Sequence, residues 1–242
     1  MFASMRCGGC VCGNAEKSES MRMADKSVVA VVTFDVSHFR QWYKVFEELE
    51  SEGVFAKEFS IASTFVGESR RTVAGRFLSS TQASAHVVHV FPRESLDAVR
   101  AAYVGDKSEK LAKWKKLRTS PVVFACGEIS FQDDAHDLAD AEVMTTFVSK
   151  DVSPAFFSDF TVSIGDKDDD APTKTLVARG IVPDPVDGED NKEELKNEDD
   201  DVLGDFALTV YLSPRPLEQL SKGPDDPAPH ALTTSELLFK RG

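Results

Sequence analysis

TVAGRFLSSTQASAHVVHVF, residues 72–91, is the stretch on which the fold turns. Thr72 to Leu78 and Ala85 to Phe91 are short runs rich in β-branched and aromatic residues. Ser79, Ser80, Thr81 and Gln82 between them are turn formers, so the stretch predicts a β-hairpin at the centre of an antiparallel sheet. Side chains of a strand alternate between its two faces. The second run therefore carries His86, Val88 and Val90 on one face and Val87, His89 and Phe91 on the other, with one imidazole among apolar neighbours on each. Pro92 has no N–H to give the ladder and ends the strand.

Upstream, VVAVVTF (residues 28–34) is a continuous apolar run of the length expected for a strand buried on both faces. Asp35 or Ser37 then caps a helix in which Phe39, Trp42, Tyr43, Phe46 and Leu49 form one apolar stripe, ending near Gly53. SIASTFVG (60–67) is a short strand. Downstream, Leu96, Val99 and Tyr103 repeat at helical spacing, and Gly105 interrupts them. Asp106 with Glu109 forms an acidic variant of the capping box before a helix carrying Leu111, Trp114 and Leu117. Pro121 ends that helix and Val122 to Phe131 is a strand. The order strand, helix, strand, strand, helix, strand is the split βαβ, or ferredoxin-like, arrangement of an α+β fold.

Beyond the acidic connection Asp133 to Asp140 the same order begins again. EVMTTFVS (142–149) is a strand, and Ser153–Pro154 starts a short helix with Phe156, Phe157 and Phe160. LVARGIV (176–182) and DFALTVYL (205–212) are paired strands, Pro214 to Lys222 is a helical turn or two, and His230 to Lys240 is a closing strand. Four likenesses support a duplication: Thr33–Phe34 with Thr146–Phe147, Val73–Arg76 with Val177–Gly180, Pro92–Arg93 with Pro214–Arg215, and Glu128–Phe131 with Glu236–Phe239. The expected organisation is a tail at 1–26, a first unit at 27–132 and a second at 141–242 that contains an acidic loop at 183–204.

The net charge of −13 is concentrated in one place, because residues 166–205 hold 15 Asp and Glu against 5 Lys and Arg. That balance opposes nucleic-acid binding, which needs basic surface to displace counterions. No apolar run approaches the roughly 20 residues of a membrane span. Of four cysteines, Cys7, Cys10 and Cys12 cluster in the tail and Cys126 stands alone in a strand, so no disulfide framework is legible and a reducing, cytoplasmic setting is expected. The tail's C-x2-C-x-C has no fourth ligand to complete a zinc site. Asp166, Asp168 and Asp170 begin like a calcium loop, but Ala171 replaces its glycine and Val177 its glutamate. No metal and no cofactor are expected.

A strand, a helix with Phe39-x-x-Trp42-x-x-x-Phe46, a Gly–Arg hairpin, a V-V-H-V strand at 87–90, a helix and a last strand resemble the dimeric α+β barrel superfamily. Within it the resemblance is nearest to small ferredoxin-like proteins of cyanobacteria. Two such units pair their sheets to enclose a barrel, usually between chains, and a tandem copy would do so within one chain. Members that resemble this architecture include antibiotic-biosynthesis-type monooxygenases, haem-degrading enzymes, polyketide cyclases and stress-response proteins. The resemblance rests on structural residues, so it implies the fold and leaves function open.

Two functions of different class follow. One is a non-catalytic ligand-binding or assembly module, whose partner is a small apolar or aromatic ligand or another protein. The other is a cofactor-independent monooxygenase or cyclase with His89 as general base inside the barrel. His86, Trp42 and Arg76 are the candidate ligand-binding residues: an imidazole, a flat wall, and a cation for a carboxylate. Each has a plainer alternative, as a hydrogen-bonded core histidine, a core aromatic and a surface ion pair. Thr209 stands roughly where the first unit has His89, so any active site would be one-sided.

Overall fold

The computed structural model describes residues 27–69, 72–73, 76–77, 83–105, 111–134, 137–150, 152–153, 156–157, 172–181, 203–215 and 229–242. The first elements are β1 (Ser27–Val36), α1 (Phe39–Ser51), α2 (Val54–Phe59), β2 (Ser63–Ser69), β3 (Thr72–Val73), β4 (Arg76–Phe77) and β5 (Ala83–Pro92). A 3-10 turn at Arg93–Ser95 leads to α3 (Leu96–Val104), α4 (Ala112–Lys115) and β6 (Val123–Asp133). After a second turn at Leu138–Asp140 come β7 (Val143–Lys150), β8 (Lys174–Ile181), β9 (Leu203–Ser213) and β10 (Pro229–Arg241).

Eight strands close into one antiparallel barrel in the order β1, β5, β2, β10, β7, β9, β8, β6 and back to β1. Closure leaves none of the eight barrel strands with an open edge. Strands β6, β1, β5 and β2 are contiguous on one side, and β10, β7, β9 and β8 on the other. The two arcs meet at two seams, β2 with β10 and β6 with β8. Each seam contains a bulge, one between Leu237 and Phe239 and one between Ile129 and Phe131. A bulge inserts one residue and so reverses which face the following side chains take. Leu237 accordingly belongs to the inner core, while Phe239 turns outward onto Phe46 of α1.

The VVAVVTF run is buried on both faces. Val29 and Val31 point into the barrel with Phe65, Val88, Met144, Leu176, Leu208 and Val210. Val28, Ala30, Val32 and Phe34 point outward beneath α1, α2, α3 and α4. Helix α1 buries Phe39, Trp42, Phe46 and Leu49, the predicted stripe, each contributing roughly 1.5–3 kcal/mol by burial. Gly53 takes φ +70°, the left-handed conformation that stops a helix, and α2 starts afresh from it. No side chain caps α1. Asp35 instead accepts a 2.5 Å hydrogen bond from the Ser84 hydroxyl, and its N–H donates to Ser120 Oγ at 2.8 Å.

Two expectations are corrected. Thr72–Phe77 is not the partner of β5. Gly75 and Arg76 interrupt its apolar run, and its described residues form a separate two-stranded ribbon, Thr72 opposite Phe77 and Val73 opposite Arg76. The partner of β5 is β2, the short strand read at 60–67, with Phe65 opposite Val88. The likeness of Val73–Arg76 to Val177–Gly180 therefore falls, since Val177–Gly180 lies in β8 of the barrel. The tail 1–26, the start of the calcium-like stretch at 166–171 and the acidic residues 182–202 lie outside the described residues, as do most of the helical stretches expected near 154–160 and 216–222. Among the described residues no helix is long and apolar enough to cross a membrane.

Candidate functional site

Both imidazoles of β5 are fully buried, and the strand's alternation sends them to opposite layers. His86 shares the inward face with Val88 and Val90. It stands opposite Thr33 on β1 and Gly67 on β2. Gly67 has no side chain to block the way, so the imidazole extends over β2. Its Nδ1 lies 2.9 Å from Ser235 Oγ on β10 and its Nε2 lies 3.2 Å from Thr146 Oγ1 on β7. Ser235 in turn donates to the Met144 carbonyl at 3.3 Å. The network is satisfied when Nδ1–H donates to Ser235 and Thr146 donates to Nε2. Burial in this apolar shell lowers the His86 pKa from 6.5 to about 3, so the ring is neutral at ordinary pH.

His89 faces the helices. Its Nδ1 lies 3.0 Å from Thr64 Oγ1 and its Nε2 2.6 Å from the Tyr103 hydroxyl on α3, with Phe55 of α2 against the ring. Burial, helped by the nearby Arg241 guanidinium, lowers its pKa to about 3. Burial also raises the Tyr103 phenol well above its usual value; Arg118 opposes the shift and Glu50 adds to it. The chain of contacts continues outward. Arg241 donates to Thr64 Oγ1 at 3.3 Å and pairs with Glu50 Oε2 at 2.7 Å. The Glu50 carboxyl is raised by burial, against the opposing pull of Arg241 and a hydrogen bond from Thr64.

The expected placement of His89 as a base inside the barrel is thus reversed: His86 lies inside and His89 lies under the helices. Alternation fixed which side chains share a face. It could not say which face is inner, because both faces of this strand are apolar. The sequence signal that would have decided it is Gly67, which clears a path on the inner side only. Trp42 is fully buried, with Phe34, Phe39, Phe46 and Trp114 all within 6 Å between ring centres, and it packs as core rather than walling an opening. Arg76 belongs to the ribbon outside the barrel, and its side chain lies outside the described residues. Thr209 faces outward opposite Phe147. Cys126 is buried with its thiol pushed up to about 11 by burial, which makes it a poor nucleophile. Among the described residues no three His, Cys, Asp or Glu side chains gather as metal ligands do.

No family model matches the chain, and no curated protein is found to be similar to it. Solved structures are similar in fold. An anthrone oxidase-like protein shares 14% identity over 90% of this chain and 93% of its own, with a TM-score of 0.47. A "putative monooxygenase" from Fusobacterium nucleatum shares 7% over 89% and 94%, at 0.50. A protein of the same description from Lactobacillus acidophilus shares 10% over 88% and 93%, at 0.49. The chain has the fold of monooxygenase-like barrels. At these identities the likeness is one of fold alone.

Proposed function

We propose that the chain is a tandem duplication of a ferredoxin-like unit, closed on itself as a dimeric α+β barrel within one chain, and that it serves as a non-catalytic binding or assembly module. The duplication is supported by the pairing registers. One constant offset per strand relates Val28 to Val143, Gly67 to Ala178, His86 to Leu208 and Ile129 to Leu237. Under those offsets the pairings Thr33–His86, Gly67–His86 and Gly67–Leu237 become Val148–Leu208, Ala178–Leu208 and Ala178–Ile129, all of which occur. The two bulges also fall at matching places, Ser130 and Leu238, as the likeness of Glu128–Phe131 to Glu236–Phe239 requires. That register sets Thr33–Phe34 against Val148–Ser149 rather than Thr146–Phe147. It also makes Tyr211, not Thr209, the counterpart of His89.

The observation that carries the non-catalytic reading is the filled interior. Phe65, Val88, Met144, Leu176, Ala178, Leu208 and Leu212 are wholly shielded, and His86 among them is hydrogen-bonded through both nitrogens. An imidazole whose pKa is held near 3 is a weak general base, and a substrate would have to displace packed side chains to meet it. Partners then act on the outer surface.

The second reading is cofactor-independent monooxygenation of a flat aromatic such as an anthrone. It draws on the names of the similar structures and on the His86–Ser235 pair inside the barrel. Oxygen uptake by the purified protein with an anthrone separates the two. Uptake no faster than buffer is expected. Turnover that disappears in His86→Leu, the residue its counterpart Leu208 already is, would replace the first reading by the second.

A further inference from the structure

The contacts of Tyr103 are unlike those of an ordinary core phenol. Its side chain is 1% exposed, and its hydroxyl donates at 2.6 Å to the Nε2 of a neutral imidazole, His89. The other face of its ring meets Trp114, 5.0 Å between ring centres and tilted by 70°, and Trp114 stacks on Trp42 at 5.8 Å. Neither indole N–H has a hydrogen-bond partner among the described residues. Trp42 adjoins Tyr43, which is half-buried and stacked with Phe39 and Phe46, so the aromatic series runs from the buried phenol to the surface of α1.

We propose that Tyr103 and His89 form a proton-coupled one-electron redox site, filled through Trp114 and Trp42. In the step, Tyr103 loses one electron and its O–H bond breaks. The proton goes to His89 Nε2, leaving a neutral tyrosyl radical beside an imidazolium that still donates through Nδ1 to Thr64. The electron passes through the indoles to a one-electron oxidant at the surface, an oxygen-centred radical or an oxidised metal complex, which is reduced by one electron. Returning an electron from a reductant and the proton from His89 restores the phenol.

Two features direct the electron hole away from the indoles and onto the phenol. An indole radical cation relaxes by shedding its N–H proton, and the buried N–H groups of Trp42 and Trp114 have no described acceptor. The Arg118 guanidinium, 5.6 Å from the Trp114 ring, disfavours positive charge there. Tyr43 hydrogen-bonds the Leu238 carbonyl at 3.1 Å and also the Glu47 side chain, so it is the competing phenol that Tyr43→Phe tests. Burial and Arg241 keep His89 a weak base, with a pKa of about 3, and Glu50 favours the new imidazolium. The proton crosses because a phenol that has lost an electron is a far stronger acid than an imidazolium.

The chain has three tyrosines, Tyr43, Tyr103 and Tyr211, so the radical can be assigned by elimination. Tris(bipyridine)ruthenium(III), generated by a flash in the presence of persulfate, is the oxidant, and freeze-quench electron paramagnetic resonance is the readout. A tyrosyl radical is expected in the wild type and in Tyr43→Phe and Tyr211→Phe, with its largest g component lowered by a hydrogen bond from imidazolium. The signal should be lost in Tyr103→Phe, and it should form more slowly in D2O. His89→Gln keeps a hydrogen-bonding group but no base and should lose most of the yield. The proposal is overturned if the wild type gives no tyrosyl radical. It is equally overturned if the signal persists in Tyr103→Phe, vanishes in Tyr43→Phe alone, or has the g values of a phenoxyl without a hydrogen bond.

Discussion

Gly67 carries more of the inner site than any side chain around it. A Cβ at that position would stand 2.7 Å from the Glu236 carbonyl and closer still to the Ser235 side chain. Gly67→Ala therefore has to push β10 away or displace Ser235 from His86. It is expected to cost about 1–3 kcal/mol, read from urea unfolding, with Ser235→Gly recovering part of the loss. The two imidazoles also make stability depend on pH. Both have folded pKa values near 3 against an ordinary 6.5, so between these values the unfolded chain binds the protons that the folded chain refuses. Their contribution is intact above about pH 6.5 and is lost as pH falls toward 3. At pH 5, unfolding should take up about two protons through these residues, measurable by calorimetry in buffers of different ionisation enthalpy. An uptake near zero would mean that the rings are not buried as described.

At the scale of elements, β10 ties the molecule together. It pairs with β7 on one side and β2 on the other, and its bulge at Leu238 turns Phe239 onto α1. Two residues after Phe239, Arg241 pairs with the almost fully buried Glu50 of α1. Arg241→Met leaves that carboxylate without its cation and should cost roughly 2–3 kcal/mol, the loss associated with stranding one half of a largely buried pair. Glu50→Gln in the same chain should return most of it in a double-mutant cycle. Much of this level was legible in the sequence. The apolar run at 28–34 and the spacing of Phe39, Trp42 and Phe46 place β1 and α1, because burial on two faces and on one stripe leave different periods. The pairing of β5 was not legible. Thr72–Phe77 has strand composition, and composition does not say whether a strand joins the barrel or forms a ribbon beside it. The relay from Glu50 to Tyr103 escaped for a related reason: its members come from α1, β10, β2, β5 and α3, far apart in sequence.

The whole molecule raises the question of why the barrel is built in one chain. If its halves are copies, the first half could in principle close on a second molecule of itself. The registers argue against that outcome. In such a dimer the position of Ser235 would be taken by Gly127 and that of Thr146 by Val31, so both copies of His86 would lie buried with neither hydroxyl partner. A buried polar group without a partner costs about 1–3 kcal/mol, and the dimer would hold two. If the halves are copies, divergence of the second supplies the hydroxyls that the first half's histidine needs and disfavours self-pairing. Chains 27–134 and 141–242 produced separately are therefore expected to combine in equimolar complexes on mixing, observed by size-exclusion chromatography with light scattering. Chain 27–134 alone should aggregate or remain unfolded, since β2 and β6 would be open edges beside an uncovered apolar face. Replacing His86 by Leu removes the buried polar group, so the isolated first half should then gain a tendency to dimerise. If the unmodified first half already forms a dimer as stable as the mixed complex, pairing through His86 does not select the partner.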